Sequence, residues 1–283
     1  MTIKRKILNA FPDDLYLRLL FRKRMKKRLC LSSPQTFNEK LQWLKLYDRR
    51  PEYTEMVDKF AGKKYVSDKI GEQYVVPSLG VWNSFDEIDF SILPDQFVLK
   101  CTHDSGGIVI CKNKADFDYE AAKKKLTECL KRNYYYNGRE WPYKNVRRRI
   151  IAETYIGDSL NDYKLMCFNG RVEYSFVCSD RYSDEGLHVT FFDRNWNIMD
   201  FERHYPRRKE GIEKPDNYEK MIELAETLSK GIPFVRVDFY DVAGKIYWGE
   251  MTFYPGDGFE EFEPEEWDYK LGQLIKLPEK KRK

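Results

Sequence analysis

Histidine is scarce in this 283-residue chain, three in all and none paired at ligand spacing, which excludes a histidine-built transition-metal centre. The six cysteines (Cys30, Cys101, Cys111, Cys129, Cys167 and Cys178) include no CxxC pair. That argues against a zinc site or a disulfide framework and for buried thiols in a reducing cytoplasm. No apolar run approaches a membrane span, and no secretory signal follows Met1, so a cytoplasmic protein is expected. The G-x-x-x-x-G-K-[ST] phosphate loop is missing, and so is an obvious Ser-His-Asp or Cys-His set. Repeats and low-complexity linkers are missing too. The net charge of +4 is small, and no nucleic-acid partner is expected.

Aromatic residues, by contrast, are abundant: 20 Tyr, 18 Phe and 6 Trp. Together with 34% charged residues they suit a well-packed soluble enzyme and argue against disorder. Positive charge crowds the first thirty residues, with Lys4, Arg5, Lys6, Arg18, Arg22, Lys23, Arg24, Lys26, Lys27 and Arg28 set against Asp13 and Asp14. Leu15, Leu19, Leu20 and Met25 interleave with them, the pattern of a basic amphipathic helix that lies on an anionic membrane or presents a solvated face.

Residues 1–52 read as a basic helical region and 53–283 as the main domain. A helix is expected from near Thr54 to Ile70, stopped by Gly71, then an extended element over 77–81. Phe97 to Lys100 and Ile108 to Cys111 read as strands joined by a glycine-containing flap, and Asp118 as the cap of the helix that follows. Further strands are expected over 150–156, 163–168 and 174–178, the last two joined at Asn169-Gly170. A helix over about 217–230 carries Tyr218, Met221, Leu224, Ala225 and Leu228 on one stripe. Two alternating runs, Val235 to Tyr240 and Ile246 to Thr252, joined by turn residues 241–244, read as a hairpin with Arg236, Asp238, Glu250 and Thr252 at polar positions. Mixed helices and hairpins make the fold class α+β.

Facing carboxylates on paired strands can converge on one hard cation, and Mg²⁺ accepts such sparse ligation when phosphates complete its shell. Lys100 ends an apolar strand before a loop holding Gly106 and Gly107, where backbone amides can turn toward an anion. Lys59, Lys63 and Lys64 stand where they reach phosphates or decorate a solvated helix. His103, alone in the flap, is expected to face solvent. Taken singly, each has an ordinary surface explanation.

Taken in order they resemble the ATP-grasp enzymes, and closely the TupA-like ATP-grasp group of bacterial polysaccharide gene clusters. The matching phrases are Phe37-Asn38-Glu39-Lys40-Leu41-Gln42-Trp43-Leu44-Lys45, Asp58-Lys59, Leu93-Pro94 with Phe97-Val98-Leu99-Lys100, Asp162-Tyr163-Lys164, Phe234 to Tyr240, and Gly249-Glu250-Met251-Thr252-Phe253-Tyr254-Pro255. The resemblance implies two α+β subdomains clasping ATP, with a lid at about 95–150. It implies that Lys59 and Lys100 bind phosphates beneath a flap that includes Thr102, Ser105, Gly106 and Gly107. It places adenine against Glu153, Thr154, Tyr155 and Ile156, ribose at Asp162 with Lys164 beside it, and Mg²⁺ on Asp238, Glu250 and Thr252. Arg236, with Lys100, would face the transferred phosphoryl group. Thr252 departs from the asparagine usual there.

The activity implied is a carboxylate–amine ligase working through an acyl phosphate. Its partners would be a carboxylated small molecule or glycan, an amino acid or amine, and, through the N-terminal helix, a membrane surface. Two rivals are a glycosyltransferase, for which a DxD signature is looked for and not expected, and a non-catalytic ATP-binding component of the same assembly.

Overall fold

A computed structural model describes residues 10–158, 161–179, 186–208 and 212–280; Lys4, Arg5 and Lys6 and the end of the basic tail lie outside these. Helix α1 (Asp13–Met25) carries Asp13 and Asp14 in its first turn, where acidic groups suit the positive end of the helix dipole. Helix α2 (Phe37–Tyr47) is set by a capping box: Thr36 Oγ1 accepts from the Glu39 amide at 3.2 Å and the Glu39 carboxylate accepts from the Thr36 amide at 3.3 Å.

The single helix expected over Thr54–Ile70 is two, α3 (Glu52–Val57) and α4 (Ala61–Ile70). Asp58 causes the break. Its ψ is 116°, and its Oδ1 accepts from the amides of Phe60 (2.8 Å) and Ala61 (3.3 Å). A side chain that bonds its own backbone competes with the helix ladder, and the Arg149 guanidinium, 3.0 Å from Oδ2, holds it there. The Lys59 amide is thereby freed to donate to Thr102 O at 3.0 Å, tying α4 to the flap. Gly71, at φ 112°, ends α4 as expected.

Among the described residues the remaining α-helices are α5 (Tyr119–Leu130), capped by Asp118 as read, α6 (Tyr135–Gly138), α7 (Tyr218–Ser229) and α8 (Glu266–Leu274). Strands β1 (Ser78–Trp82), β2 (Phe97–Cys101), β3 (Ile108–Cys111) and β4 (Ile150–Thr154) form an antiparallel sheet in the order β1-β4-β2-β3. A second antiparallel sheet runs β10-β9-β5-β6-β7, from β5 (Asn161–Phe168), β6 (Arg171–Ser179), β7 (His188–Asp193), β9 (Phe234–Val242) and β10 (Lys245–Thr252). The short strands β8 (Glu202–Arg203) and β11 (Phe262–Glu263) pair with each other. Asn169-Gly170 (φ 51° and 84°) and Ala243-Gly244 (φ 50° and 82°) supply the left-handed residues that two-residue hairpin turns require. The fold is α+β.

Two hydrophobic cores lie on either side of a cleft. The smaller packs α5 residues Ala122, Leu126 and Cys129 on Phe97, Leu99, Cys101 and Ala152 of the four-stranded sheet, and takes in Phe85, Ile88 and Leu93. The unit built on the four-stranded sheet thus takes in residues before 95. The larger core gathers the predicted α7 stripe on the five-stranded sheet. Leu17, Phe21, Phe37, Leu41 and Leu44 belong to that same core, and Phe37 meets Phe234 edge-on at 4.9 Å. The described residues before 52 are thus not a region apart, because their apolar side is used to close the main core. Leu15 and Leu19 of α1 remain exposed. No helix among the described residues is long and apolar enough to cross a membrane.

Gly272 of α8 marks the tightest packing onto the start of α2, since a Cβ there would stand 2.6 Å from the Thr36 carbonyl carbon. Backbone cannot yield as a side chain does. Gly272→Ala is expected to cost about 1–3 kcal/mol, read as a melting temperature several degrees lower.

Candidate active site

Strand β2 alternates strictly: Phe97, Leu99 and Cys101 are buried in the lid core, which turns Val98 and Lys100 to the cleft. Glu153 pairs with Val98 across β4 and so lies on the same face. Its carboxylate receives Lys100 Nζ at 2.5 Å and Lys63 Nζ from α4. Lys63 also donates to Val76 O at 2.6 Å, and Lys59 Nζ to Asp104 O at 2.7 Å. Burial would raise the Glu153 carboxyl, but Lys100 and then Lys63 hold it below its ordinary value. Two ammonium groups on one carboxylate, with Lys59 on a backbone carbonyl, leave this wall with unmatched positive charge.

The facing wall is the hairpin. From Lys245 to Trp248, β10 pairs regularly with β9; then Gly249 forms a bulge, and the register shifts so that Glu250 stands opposite Asp238 and Thr252 opposite Arg236. An unbulged register would set Glu250 against Val237 and send the two carboxylates to opposite faces. Arg236 is the hub. Its Nε and Nη2 grip Asp238 at 2.6 and 2.7 Å, and Nη2 also reaches Glu250 Oε1 (2.8 Å) and Thr252 Oγ1 (3.0 Å). Lys164 on β5 inserts between Asp162 (2.5 Å) and Asp238 (2.6 Å). Burial opposes ionisation of Glu250, yet the charges of Arg236, Lys59 and Lys164 hold its carboxyl at about 2. Burial raises the Asp162 carboxyl despite Lys164, and Asp162 Oδ1 is buried without a hydrogen-bond partner.

Lys100, Asp238 and Glu250 line one cavity of about 590 Å³ between the two sheets. With them stand Lys59, Ser105, Glu153, Thr154, Tyr155, Ile156, Asp162, Lys164 and Arg236, all named from the sequence. Four expected site residues are placed otherwise. The Thr102 hydroxyl, fully buried, donates to Arg147 O at 2.9 Å and accepts from the Arg149 amide at 3.2 Å, so it fastens the base of the flap. Gly107 faces the lid interior, where a Cβ would meet Cys129 Sγ at 2.5 Å. Gly106 has open space around it and does not line the cavity. The Thr252 side chain stays with its Arg236 and Glu250 partners and lines the neighbouring cavity. His103 is buried rather than solvent-facing, its Nε2 3.1 Å from Arg132 O.

One DxD tripeptide is present after all, Asp116-Phe117-Asp118. Its carboxylates are spent on local structure: Asp116 accepts from Asn113 Nδ2 at 2.7 Å and Asp118 caps α5 through the Ala121 amide at 2.9 Å.

That neighbouring cavity, about 650 Å³, shares Ser105, Arg236 and Glu250 with the first. Sequence reasoning missed its other walls: Arg24, Tyr134, Glu140, Tyr143, Tyr254 and Asp257 among them. Asp257 lies in a loop where Gly256, Asp257 and Gly258 all have φ between 57° and 65°. Buried Lys45 and Gln42 hold that loop, donating to Asp257 O at 2.6 and 3.2 Å. The Pro255-Gly256-Asp257-Gly258 run was the one local signal available.

The chemistry of these side chains fits a polyphosphate with a hard cation. The lysine wall carries surplus positive charge, the bulged hairpin offers two carboxylates on one face, and Asp162 has an unused buried acceptor for a hydroxyl.

Among solved structures, D-alanine–D-alanine ligase from Bacillus anthracis complexed with ATP is 16% identical, with a TM-score of 0.45 over 78% of this chain and 64% of that one. ATP-grasp ligase PsnB complexed with minimal precursor is 13% identical, with a TM-score of 0.42 over 72% and 55%. The ADP complex of purK, N5-carboxyaminoimidazole ribonucleotide synthetase, is 15% identical, with a TM-score of 0.44 over 76% and 50%. The chain thus spans about half to two thirds of these proteins' lengths. No curated protein matches it. The family described as TupA-like ATPgrasp matches residues 39–276, and the chain belongs to that family.

Proposed function

We propose that the chain is an ATP- and Mg²⁺-dependent ligase that joins a carboxylate to an amine by way of an acyl phosphate. The carboxylate would be that of a sugar bound for a surface polysaccharide, and the amine that of an amino acid or a simpler amine. One observation carries the reading: a cationic wall (Lys59, Lys63, Lys100) and an acidic hairpin (Asp238, Glu250) face each other across a single cavity that opens onto a second.

Lys59 and Lys100 would neutralise phosphate oxygens, and Asp238 and Glu250 would hold Mg²⁺. The ion would supply positive charge against the negative charge that builds up as phosphoryl transfers. Arg236, fixed by Asp238 and Glu250, points its guanidinium at the junction of the two cavities. The residues supply position and electrostatic stabilisation, and no protein nucleophile is needed. A carboxylate oxygen attacks the γ-phosphorus and ADP leaves; an amine nitrogen then attacks the acyl carbon, expelling phosphate and losing its protons to phosphate and solvent.

Turnover is tested by release of ADP and phosphate from Mg·ATP in the presence of uronic acids and amines; an absence of release with every carboxylate would sink the ligase reading. Lys100→Ala removes a charge-assisted phosphate contact worth about 1.5–3 kcal/mol. Nucleotide affinity is expected to fall roughly 10- to 100-fold, by calorimetry with a non-hydrolysable ATP analogue. The exposed Leu15 and Leu19 on basic α1 support peripheral contact with an anionic bilayer, which flotation with anionic liposomes reads.

A further inference from the structure

We propose that His103 and Asp104 of the flap, Cys129 of α5 and Cys101 at the end of β2 form a binding site for a divalent cation of the zinc class, which fastens the flap to the lid helix.

A ring nitrogen of His103, an Asp104 oxygen and the Cys129 sulfur lie within 4.8 Å of one another, and all three residues are buried. Around a tetrahedral zinc ion such atoms stand roughly 3.3–3.8 Å apart, so side-chain shifts of about 1 Å close the set. The histidine supplies the observation that points to an ion. Its Nε2 lies 3.3 Å from Cys129 O and 3.1 Å from Arg132 O; carbonyl oxygens only accept, so Nε2 carries the ring hydrogen. Nδ1 therefore keeps its lone pair. It is buried without a hydrogen-bond partner, in a residue only 1% exposed. Burial lowers the His103 pKa in spite of the Asp104 charge, which keeps the ring neutral. An imidazole with one nitrogen donating to backbone carbonyls and the other offering a bare lone pair has the arrangement of a metal ligand. A core histidine with a purely structural role would satisfy both nitrogens.

The remaining donors are a carboxylate and two thiols, a mixture that suits zinc better than a hard cation. Cys129 Sγ donates to Asp104 Oδ2 at 2.9 Å, which marks a proton that an ion would displace. A Cβ on Gly107 would stand 2.5 Å from Cys129 Sγ and 2.9 Å from Cys101 Sγ, so the second thiol adjoins the first. The cation takes the Nδ1 lone pair, an Asp104 oxygen and both sulfurs, whose protons pass to solvent; nothing is oxidised or reduced. Charge then balances, because the ion and Arg132, 3.0 Å from Asp104 Oδ2, face one carboxylate and two thiolates. Exposed Ser105 and Gly106 beside Asp104 give the ion a way in. No zinc signature announces the set, since Asp104 and Cys129 stand 25 residues apart in the chain. The consequence reaches the phosphate-facing wall. Lys59 Nζ donates to Asp104 O at 2.7 Å, so an ion that fixes Asp104 also steadies Lys59.

The test is titration of the full chain, reduced with a phosphine and stripped by a chelator, with Co²⁺ and then Zn²⁺. Thiolate-to-cobalt charge-transfer absorption and tetrahedral d–d bands are expected, saturating at one ion per chain. Zn²⁺ should abolish them, release about two protons on binding to the stripped chain, and raise its melting temperature by several degrees. His103→Gln and Cys129→Ser should each weaken Co²⁺ binding at least tenfold, whereas Glu250→Gln, in the opposite wall of the cleft, should leave the bands unchanged. Absence of the charge-transfer band overturns the proposal, as do bands that survive both His103→Gln and Cys129→Ser or disappear in Glu250→Gln. Should neither cluster variant fold, the double variant Cys30→Ser, Cys178→Ser decides: it lacks the two thiols that are not fully buried, and loss of the band there places the ion elsewhere.

Discussion

Glu250→Gln is expected to lower turnover by about 10²- to 10³-fold while the protein still folds and still binds nucleotide. The scale is that of losing one preorganised electrostatic group from a phosphoryl- or acyl-transfer site. The substitution keeps size and hydrogen-bonding capacity. It removes the one carboxylate that faces both cavities, opposite Asp238 only because Gly249 bulges β10. Arg236 keeps its two-pronged grip on Asp238, so the hairpin should hold. ADP release under saturating Mg·ATP is the measurement, and turnover within threefold of the unaltered chain would remove Glu250 from the catalytic machinery. A second readout needs no activity. The Glu250 carboxyl titrates at about 2 in the folded chain against an ordinary 4.5. Its ionisation thus supports folding above about pH 4.5, and that support is lost as pH falls toward 2. Glu250→Gln should flatten this part of the acid-denaturation curve.

What the sequence disclosed was local. The strands of both sheets other than β7, the left-handed hairpin turns at Asn169-Gly170 and Ala243-Gly244, and the α7 stripe follow from period and turn chemistry within a dozen residues. The paired carboxylates were legible for the same reason, since Asp238 and Glu250 sit on one hairpin. The break at Asp58 was not, because the apolar spacing of Val57, Ala61 and Val66 runs through it. What stops the helix is a side-chain cap held by Arg149, ninety-one residues away. The second cavity was hidden more deeply. Arg24, Glu140 and Asp257 come from three distant parts of the chain, and none stands in a periodic run. The buried state of α1 and α2 was likewise invisible to composition, since a basic helix face says nothing of what its opposite face covers. Leu17 and Phe21 settle that only in three dimensions.

Glu140→Gln should make the protein more stable at neutral and alkaline pH, opposite to the usual effect of altering a buried residue beside a site. Glu140 is surrounded by Asp257, Lys45, Glu250, Tyr134, Tyr143 and Tyr254. Lys45 favours its charged form, but burial and Asp257 outweigh Lys45 and raise its carboxyl well above 4.5. In the unfolded chain it ionises near its ordinary value. Above pH 4.5 the folded state therefore binds a proton that the unfolded state has released, and stability falls as pH rises until the folded group ionises too. The slope is at most about 1.4 kcal/mol per pH unit for one proton. Glutamine has no proton to lose and its amide can still donate to Asp257, so the variant escapes this loss. Its melting temperature relative to the unaltered chain should be lower or equal at pH 4.5 and should overtake it by several degrees at pH 8. A difference that does not change with pH would mean that Glu140 and Asp257 do not share a proton. The stability given up by carrying a glutamic acid at position 140 would then need another cause than the charged pair at the mouth of the second cavity.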